Sequence, residues 1–265
     1  MNYYEYQAMA KADGQITFDP EWGQGRSIFG GLTGALVLSY ITGTSDLSGR
    51  DLRTLNIHFC GATIAGEPCE FRHRILSEGR SVTQIEGQLL QNGEVKTAVI
   101  ACFAIRRDSD LVVSAPQRTF ESSPDRAIKM PFIQGHMPEF IRHFDLRYTS
   151  KGLPFSGTDE TTISGWMRLK QTPERFTDPI IVTLIDAWPP AILPMLKERA
   201  PSSTITWNME FIQPIASLEA DDFLYYECTA TQASAGYAHS EGKVYHPNGQ
   251  LLALNRQLVG VYDKK

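Results

Sequence analysis

Asp186 stands alone as a carboxylate inside a bulky apolar run, Leu184-Ile185-Asp186-Ala187-Trp188-Pro189-Pro190-Ala191-Ile192-Leu193. An ionised acid in such surroundings is expensive unless it is paired or hydrogen-bonded. It is therefore either a structural hydrogen-bonding group, such as a helix cap, or a catalytic carboxylate held in an apolar cleft. Two more polar residues of the same half stand in similar positions. Gln257 lies in a final strand whose neighbours Leu251, Leu252, Ala253, Leu254, Val259 and Val261 are apolar, so a buried amide there is costly. Thr204 opens a strand, where a threonine serves either as a sheet former or as a placed hydroxyl.

Several other chemistries lack their residues. Gly25-Arg26-Ser27 and Gly79-Arg80-Ser81 do not complete a GxSxG nucleophile elbow, and neither a P-loop nor a GxGxxG after a strand occurs. The six histidines (His58, His73, His136, His143, His239, His246) show no metal-ligand spacing, and His136 and His143 are expected in solvent. No metal and no cofactor are expected.

The 265 residues allow one large domain or two ordinary ones, and 42% hydrophobic content is ample for a core. The net charge of -5 comes without any basic run, so nucleic acid is not an expected partner. No secretory signal is visible. The longest apolar run, residues 98–105, is far too short to span a membrane. Four cysteines without a CxxC pair read as buried, reduced thiols of a cytoplasmic protein.

The elements that would position these residues follow from periodicity. Gly30, Gly31, Gly34 and Ala35 belong to an apolar helix, and small residues there let backbone approach backbone. Alternating strands follow over residues 52–59, 69–78, 81–91 and 95–106, with an Asn92-Gly93 hairpin signal. Proline and charge interrupt the pattern from residue 108. It then restarts with strands over 140–148 and 161–169, a helical stretch over about 179–199, and strands over 204–212, 223–233, 236–245 and 251–262.

Two halves with the same order of elements indicate an internal duplication. Asn56-Ile57-His58-Phe59 falls on Asn208-Met209-Glu210-Phe211, Asn92-Gly93 on Asn248-Gly249, and Gly34 on Asp186. A helix without a polar face, wrapped by a curved antiparallel sheet, describes a hot-dog domain. The expected fold class is α+β, a tandem (double) hot-dog: residues 1–107, a linker over 108–139, and residues 140–265 carrying the candidate site. In the first half the positions matching Asp186, Thr204 and Gln257 are Gly34 and the neighbourhoods of Leu52 and Ala101, so one competent site per chain is expected.

The ordered series Asp186, Thr204, Gln257, with Phe29-Gly30-Gly31 opening the first helix, resembles the acyl-CoA thioesterase II family of double hot-dog proteins. The resemblance implies hydrolysis of acyl-CoA, or a similar acyl thioester, within fatty-acid metabolism. Asp186 would be the general base or water anchor, and Thr204 and Gln257 would orient the same water. Gly30 and Gly31 are candidate substrate-binding positions through their backbone N–H groups. The resemblance leaves a homo-oligomer open. Two alternatives stand beside it: a non-catalytic acyl-thioester binding or sensing module, and a hot-dog hydratase or dehydratase using His58.

Overall fold

A computed structural model describes residues 1–215 and 217–264. The chain forms two compact units that interleave along the sequence. The first comprises Met1–Val112, Phe132–His143 and Phe176–Asp186; the second comprises Val113–Pro131, Phe144–Arg175 and the chain from Ala187 onward.

In the first unit, helix α1 (Tyr3–Asp13) begins with a capping box. The Asn2 side chain accepts from the Glu5 N–H, and Glu5 accepts from the Asn2 N–H. Sequence periodicity did not announce α1, although Asn2, Glu5 and the left-handed Gly14 at its end carry the signals for it. Then come β1 (Gln15–Thr17), the short β2 (Gly23–Gln24) and β3 (Ser27–Ile28), and α2 (Gly30–Thr44). Four long strands follow, β4 (Arg50–Phe59), β5 (Pro68–Glu78), β6 (Val82–Gln91) and β7 (Glu94–Ile105), close to the expected limits. The sheet order is β1-β5-β6-β7-β4, all antiparallel. Asn92 and Gly93 both take positive φ, 55° and 77°, the geometry that favours Asn-Gly in a two-residue hairpin.

α2 is buried along nearly its whole length and packs on the sheet through its glycines. A Cβ on Gly34 would lie 2.7 Å from Ile57 Cδ1, and one on Gly30 2.9 Å from Phe59 Cε1. Consecutive core-facing residues of β4 thus fill notches one helical turn apart on α2.

Helix α3 (Asp178–Asp186) also belongs to this unit and packs on α2. It is shorter than the helical stretch expected over 179–199. Pro189 disfavours helical geometry at Trp188, and two successive prolines supply no N–H to continue the ladder. Trp188 instead anchors in the second unit, where its ring packs on Tyr148 and its indole N–H points at the Met167 sulfur.

The second unit contains β8 (Ile128–Lys129), β9 (Phe144–Tyr148), β10 (Thr162–Leu169), β11 (Ser202–Phe211), β12 (Leu224–Ser234), β13 (Tyr237–Tyr245) and β14 (Leu251–Val261), in the order β11-β14-β13-β12-β10-β9-β8. Residues 140–143, expected as the start of a strand over 140–148, instead lie in a 3-10 helix (Glu139–His143) of the first unit, and β9 starts only at Phe144. His143, expected in solvent, stacks on Trp22 in the first unit at 3.9 Å between ring centroids. Cys69 and Cys228 are buried as expected, whereas Cys60 is exposed.

The region expected as a linker over 108–139 runs mostly exposed over the surface, with a few side chains anchored to the second unit. Phe120 inserts among Trp166, Tyr225 and Tyr245, and Arg118 makes a two-pronged ion pair with Glu227. Gln117 and Arg118 also hydrogen-bond the turn at Asn248–Gly249. That contact accounts for a difference between the repeats, since only Gly249 of this pair has positive φ.

The duplication is written in the strand irregularities. β4 and β11 both have 10 residues, and each carries a bulge at its fourth, Arg53 and Ile205. β5 and β12 each bulge against their hairpin partners, as do β7 at Lys96 and β14 at Leu252. Replacing Phe120 by Ala is expected to cost about 3 kcal/mol and to open residues 113–131 to limited proteolysis. Unchanged melting and digestion would show that this segment is not part of the second unit's core.

Candidate active site

Asp186 is the last residue of α3, and it meets the first turn of α2. A Cβ on Gly31 would sit 2.7 Å from the Asp186 Cβ, and one on Gly30 would sit 3.1 Å from its Oδ2. The acid can occupy this place only because both positions are glycine. Burial pushes its pKa up to about 7, against the opposing pull of the Gly31 N–H, which donates to the carboxylate. The N-terminal end of a 15-residue helix adds to that pull, yet desolvation is the larger effect. Gly30 and Gly31, expected as substrate-binding positions, therefore act first as the seat of the acid.

In the second unit, the bulge decides where Thr204 points. Thr204 pairs with Val259, Ile205 is left over, and Trp207 pairs with Gln257. The extra residue reverses the side-chain alternation, so Thr204 joins Trp207 on the face that Gln257 shares. Thr204 and Gln257 are then diagonal neighbours on adjacent strands, both half-buried. Asp186 with Gly30 and Gly31 forms one group in the first unit, and Thr204 with Gln257 forms another in the second.

The same register defines what the first repeat holds. Leu52 precedes the β4 bulge as Thr204 precedes the β11 bulge, and Leu55 pairs with Ala101 as Trp207 pairs with Gln257. The helix match is less direct: counted from the helix starts, Asp186 falls opposite Leu38 rather than Gly34. Either way, α2 carries no acid.

Sequence reasoning passed over three residues. Phe59 flanks Gly30 across from Asp186. Ser240, buried, pairs with Gln257 from β13. Asn255 is buried two residues before Gln257, and its Oδ1 accepts from the Trp207 indole at 3.3 Å. Strand register and helix packing, rather than sequence pattern, reveal these neighbours. His58, the residue a hydratase reading would need, is exposed on β4. Among the described residues no group of three or more His, Cys, Asp or Glu could hold a metal ion, and no helix is long and apolar enough to cross a membrane.

Residues 124–261 match the family model of the acyl-CoA thioesterase C-terminal domain, and residues 18–104 that of the N-terminal domain. The chain belongs to the acyl-CoA thioesterase family. It is a thioester hydrolase with a tandem hot-dog fold, and the family expected from the Asp186, Thr204 and Gln257 series is the one found. Among solved structures, a hot-dog protein of unknown function from Alicyclobacillus acidocaldarius is 23% identical over 98% of both chains, with a TM-score of 0.82. The tesB protein of Mycobacterium avium subs paratuberculosis is 16% identical over 98% of this chain and 99% of its own, with a TM-score of 0.78. Acyl-CoA thioesterase II TesB2 of Mycobacterium marinum is 19% identical over 94% and 92%, with a TM-score of 0.74. At these identities the likeness is one of fold. No curated protein matches the chain.

The seat of Asp186 has a consequence for stability. The folded carboxyl keeps its proton up to about pH 7, whereas the unfolded one releases it near pH 4. The folded state binds more protons between those values, so this acid costs increasing stability as pH rises from about 4 to 7. Asp186→Asn removes that cost. Its melting temperature is expected to match wild type near pH 4 and to exceed it at pH 8, the gap opening as pH rises between those values. Parallel melting curves across this range would contradict the desolvated seat. Gly31→Ala is expected to cost about 1–3 kcal/mol through overpacking against Phe29 and Asp186, whereas Gly34→Ala meets only the mobile end of Ile57.

Proposed function

We propose that the chain hydrolyses acyl-CoA thioesters to free acid and CoA, with Asp186 as general base and Thr204 and Gln257 orienting the attacking water. The observation that carries this reading is the contrast between the repeats. Both have the bulge on the strand before the crossover and the same register, yet hydroxyl and amide occur only in the second, where the first has Leu52 and Ala101. A half-buried hydroxyl beside a half-buried amide has no packing advantage over the apolar pair. Binding a polar reactant offsets that cost.

The chemistry requires little more. Asp186 removes a proton as the water oxygen attacks the thioester carbonyl; a C–O bond forms, the C–S bond breaks, and the thiolate leaves as CoA and takes up a proton. A thioester is a good electrophile, so a positioned and partly deprotonated water suffices without a covalent intermediate. A carboxyl with a pKa of about 7 is suited to this task, since it is basic enough to accept a proton and still ionised above neutrality. The threonine hydroxyl and the glutamine amide each donate and accept, so the pair can set the orientation of one water.

Thiol release from a panel of acyl-CoA substrates tests the reading. Asp186→Asn is expected to lower kcat by roughly 10²–10⁴, and Thr204→Ala and Gln257→Ala by about 10–100-fold each. Full activity in Asp186→Asn would remove the base assignment. Saturable acyl-CoA binding by the wild-type chain without thiol release at any chain length would favour a sensing module instead.

A further inference from the structure

We propose that Phe59 is a positioning residue for the Asp186 carboxyl, its ring forming an apolar wall beside the acid that limits its hydration. The kinetic side of this proposal rests on the reading of Asp186 as the base; the wall itself rests on geometry. At the point where a Cβ of Gly30 would stand, Phe59 Cε1 is 2.9 Å away, Phe59 Cζ 3.0 Å and Asp186 Oδ2 3.1 Å. The ring edge and the carboxylate oxygen thus both border the space left by one missing methyl group, which puts them within about 6 Å of each other.

β4 delivers the ring to this place. Leu55 and Ile57 point to the core, Ile57 fills the notch at Gly34, and Phe59, the last residue of the strand, reaches the first turn of α2. In the second repeat the matching residue is Phe211, which is buried at 4% exposure. Phe59 and Asp186 are both half-buried, which sets the pair at the margin between core and solvent. A phenyl group in that position replaces part of the hydration shell a carboxylate needs. Its edge attracts an anion weakly, and lost hydration is the larger effect.

Charged groups on the surrounding elements do not offer a competing explanation. α2 carries none. β4 has Arg50, Asp51 and Arg53 at its far end, with Asp51 paired to Arg106, and exposed His58 beside Phe59. α3 has Asp178 at its opposite end. On β7, Lys96 pairs with Glu94, and on α1, which packs on α2, Glu5 and Lys11 are exposed.

The test uses the full chain and two readouts: the pH profile of kcat/KM for octanoyl-CoA, and the titration of the Asp186 carboxyl carbon by NMR. Wild type and Phe59→Leu are expected to share an acidic limb near pH 7. In Phe59→Ala, both the limb and the carboxyl titration should move at least about one pH unit lower as water reaches the acid. A carboxyl that titrates at the wild-type pH in Phe59→Ala overturns the proposal. If that variant fails to fold by circular dichroism, Phe59→Val keeps a strand-forming residue and is expected to shift in the same direction; no shift there overturns the proposal equally. Asp186→Asn serves as the control. Wild-type turnover in that variant would put the base assignment at fault, and the role of Phe59 would then be judged by the carboxyl titration alone.

Discussion

The contact on which the site depends is that between a carboxyl group and the bare backbone at the start of α2. An acid at the end of one apolar helix can reach the first turn of another only if nothing projects from that turn, and Gly30 and Gly31 leave the space. The arrangement is electrostatically divided. The Gly31 N–H and the helix end favour the anion, while burial opposes it more strongly. The outcome is an acid poised near neutrality, neither fully stabilised as an anion nor locked as a neutral group. A residue with a side chain at Gly31 would displace the acid, and with it this balance.

The long strands and the hairpin at Asn92–Gly93 were legible because alternation and turn chemistry are local properties. The two-fold repeat was legible for the same reason. α1 was not, although Asn2, Glu5 and Gly14 mark its ends, because the stripe it buries, Tyr3, Tyr6 and Ala10, has no bulky aliphatic residue to stand out among its polar neighbours. The helix bearing Asp186 ended early because Pro189 and Pro190 follow it, and the sequence carried that warning plainly. The region over 108–139 is solvent-facing for most of its length, as its prolines and charges suggest. What periodicity could not show is that Phe120 and Arg118 find partners about a hundred residues further on.

The types of the candidate site residues could be read from the sequence, but their directions could not. Thr204 and Trp207 are three apart, which in a regular strand puts them on opposite faces. Ile205 reverses this, and nothing in Thr204-Ile205-Thr206 announces a bulge. The signal was available only by comparison within the chain, because Arg53 interrupts β4 at the same place. A bulge retained at matching positions in both repeats is a feature of the fold, whereas the threonine beside it belongs to one repeat alone.

That separation explains how a duplicated fold can carry one set of reactive groups. The bulge and the long strands are geometric and persist in both repeats. The first repeat uses its equivalent positions for packing: Leu52 and Ala101 are buried and apolar, and Ile57 and Phe59 fill the notches of α2. A hydroxyl and an amide in place of Leu52 and Ala101 would carry the cost of buried polar groups. The glycines of α2 do the reverse, since they give up side-chain packing at Gly30 and Gly31 and accept the acid from α3. The apolar character of the first repeat is therefore part of the acid's seat, because a carboxyl placed against a wetter helix would return to the ordinary carboxylate range.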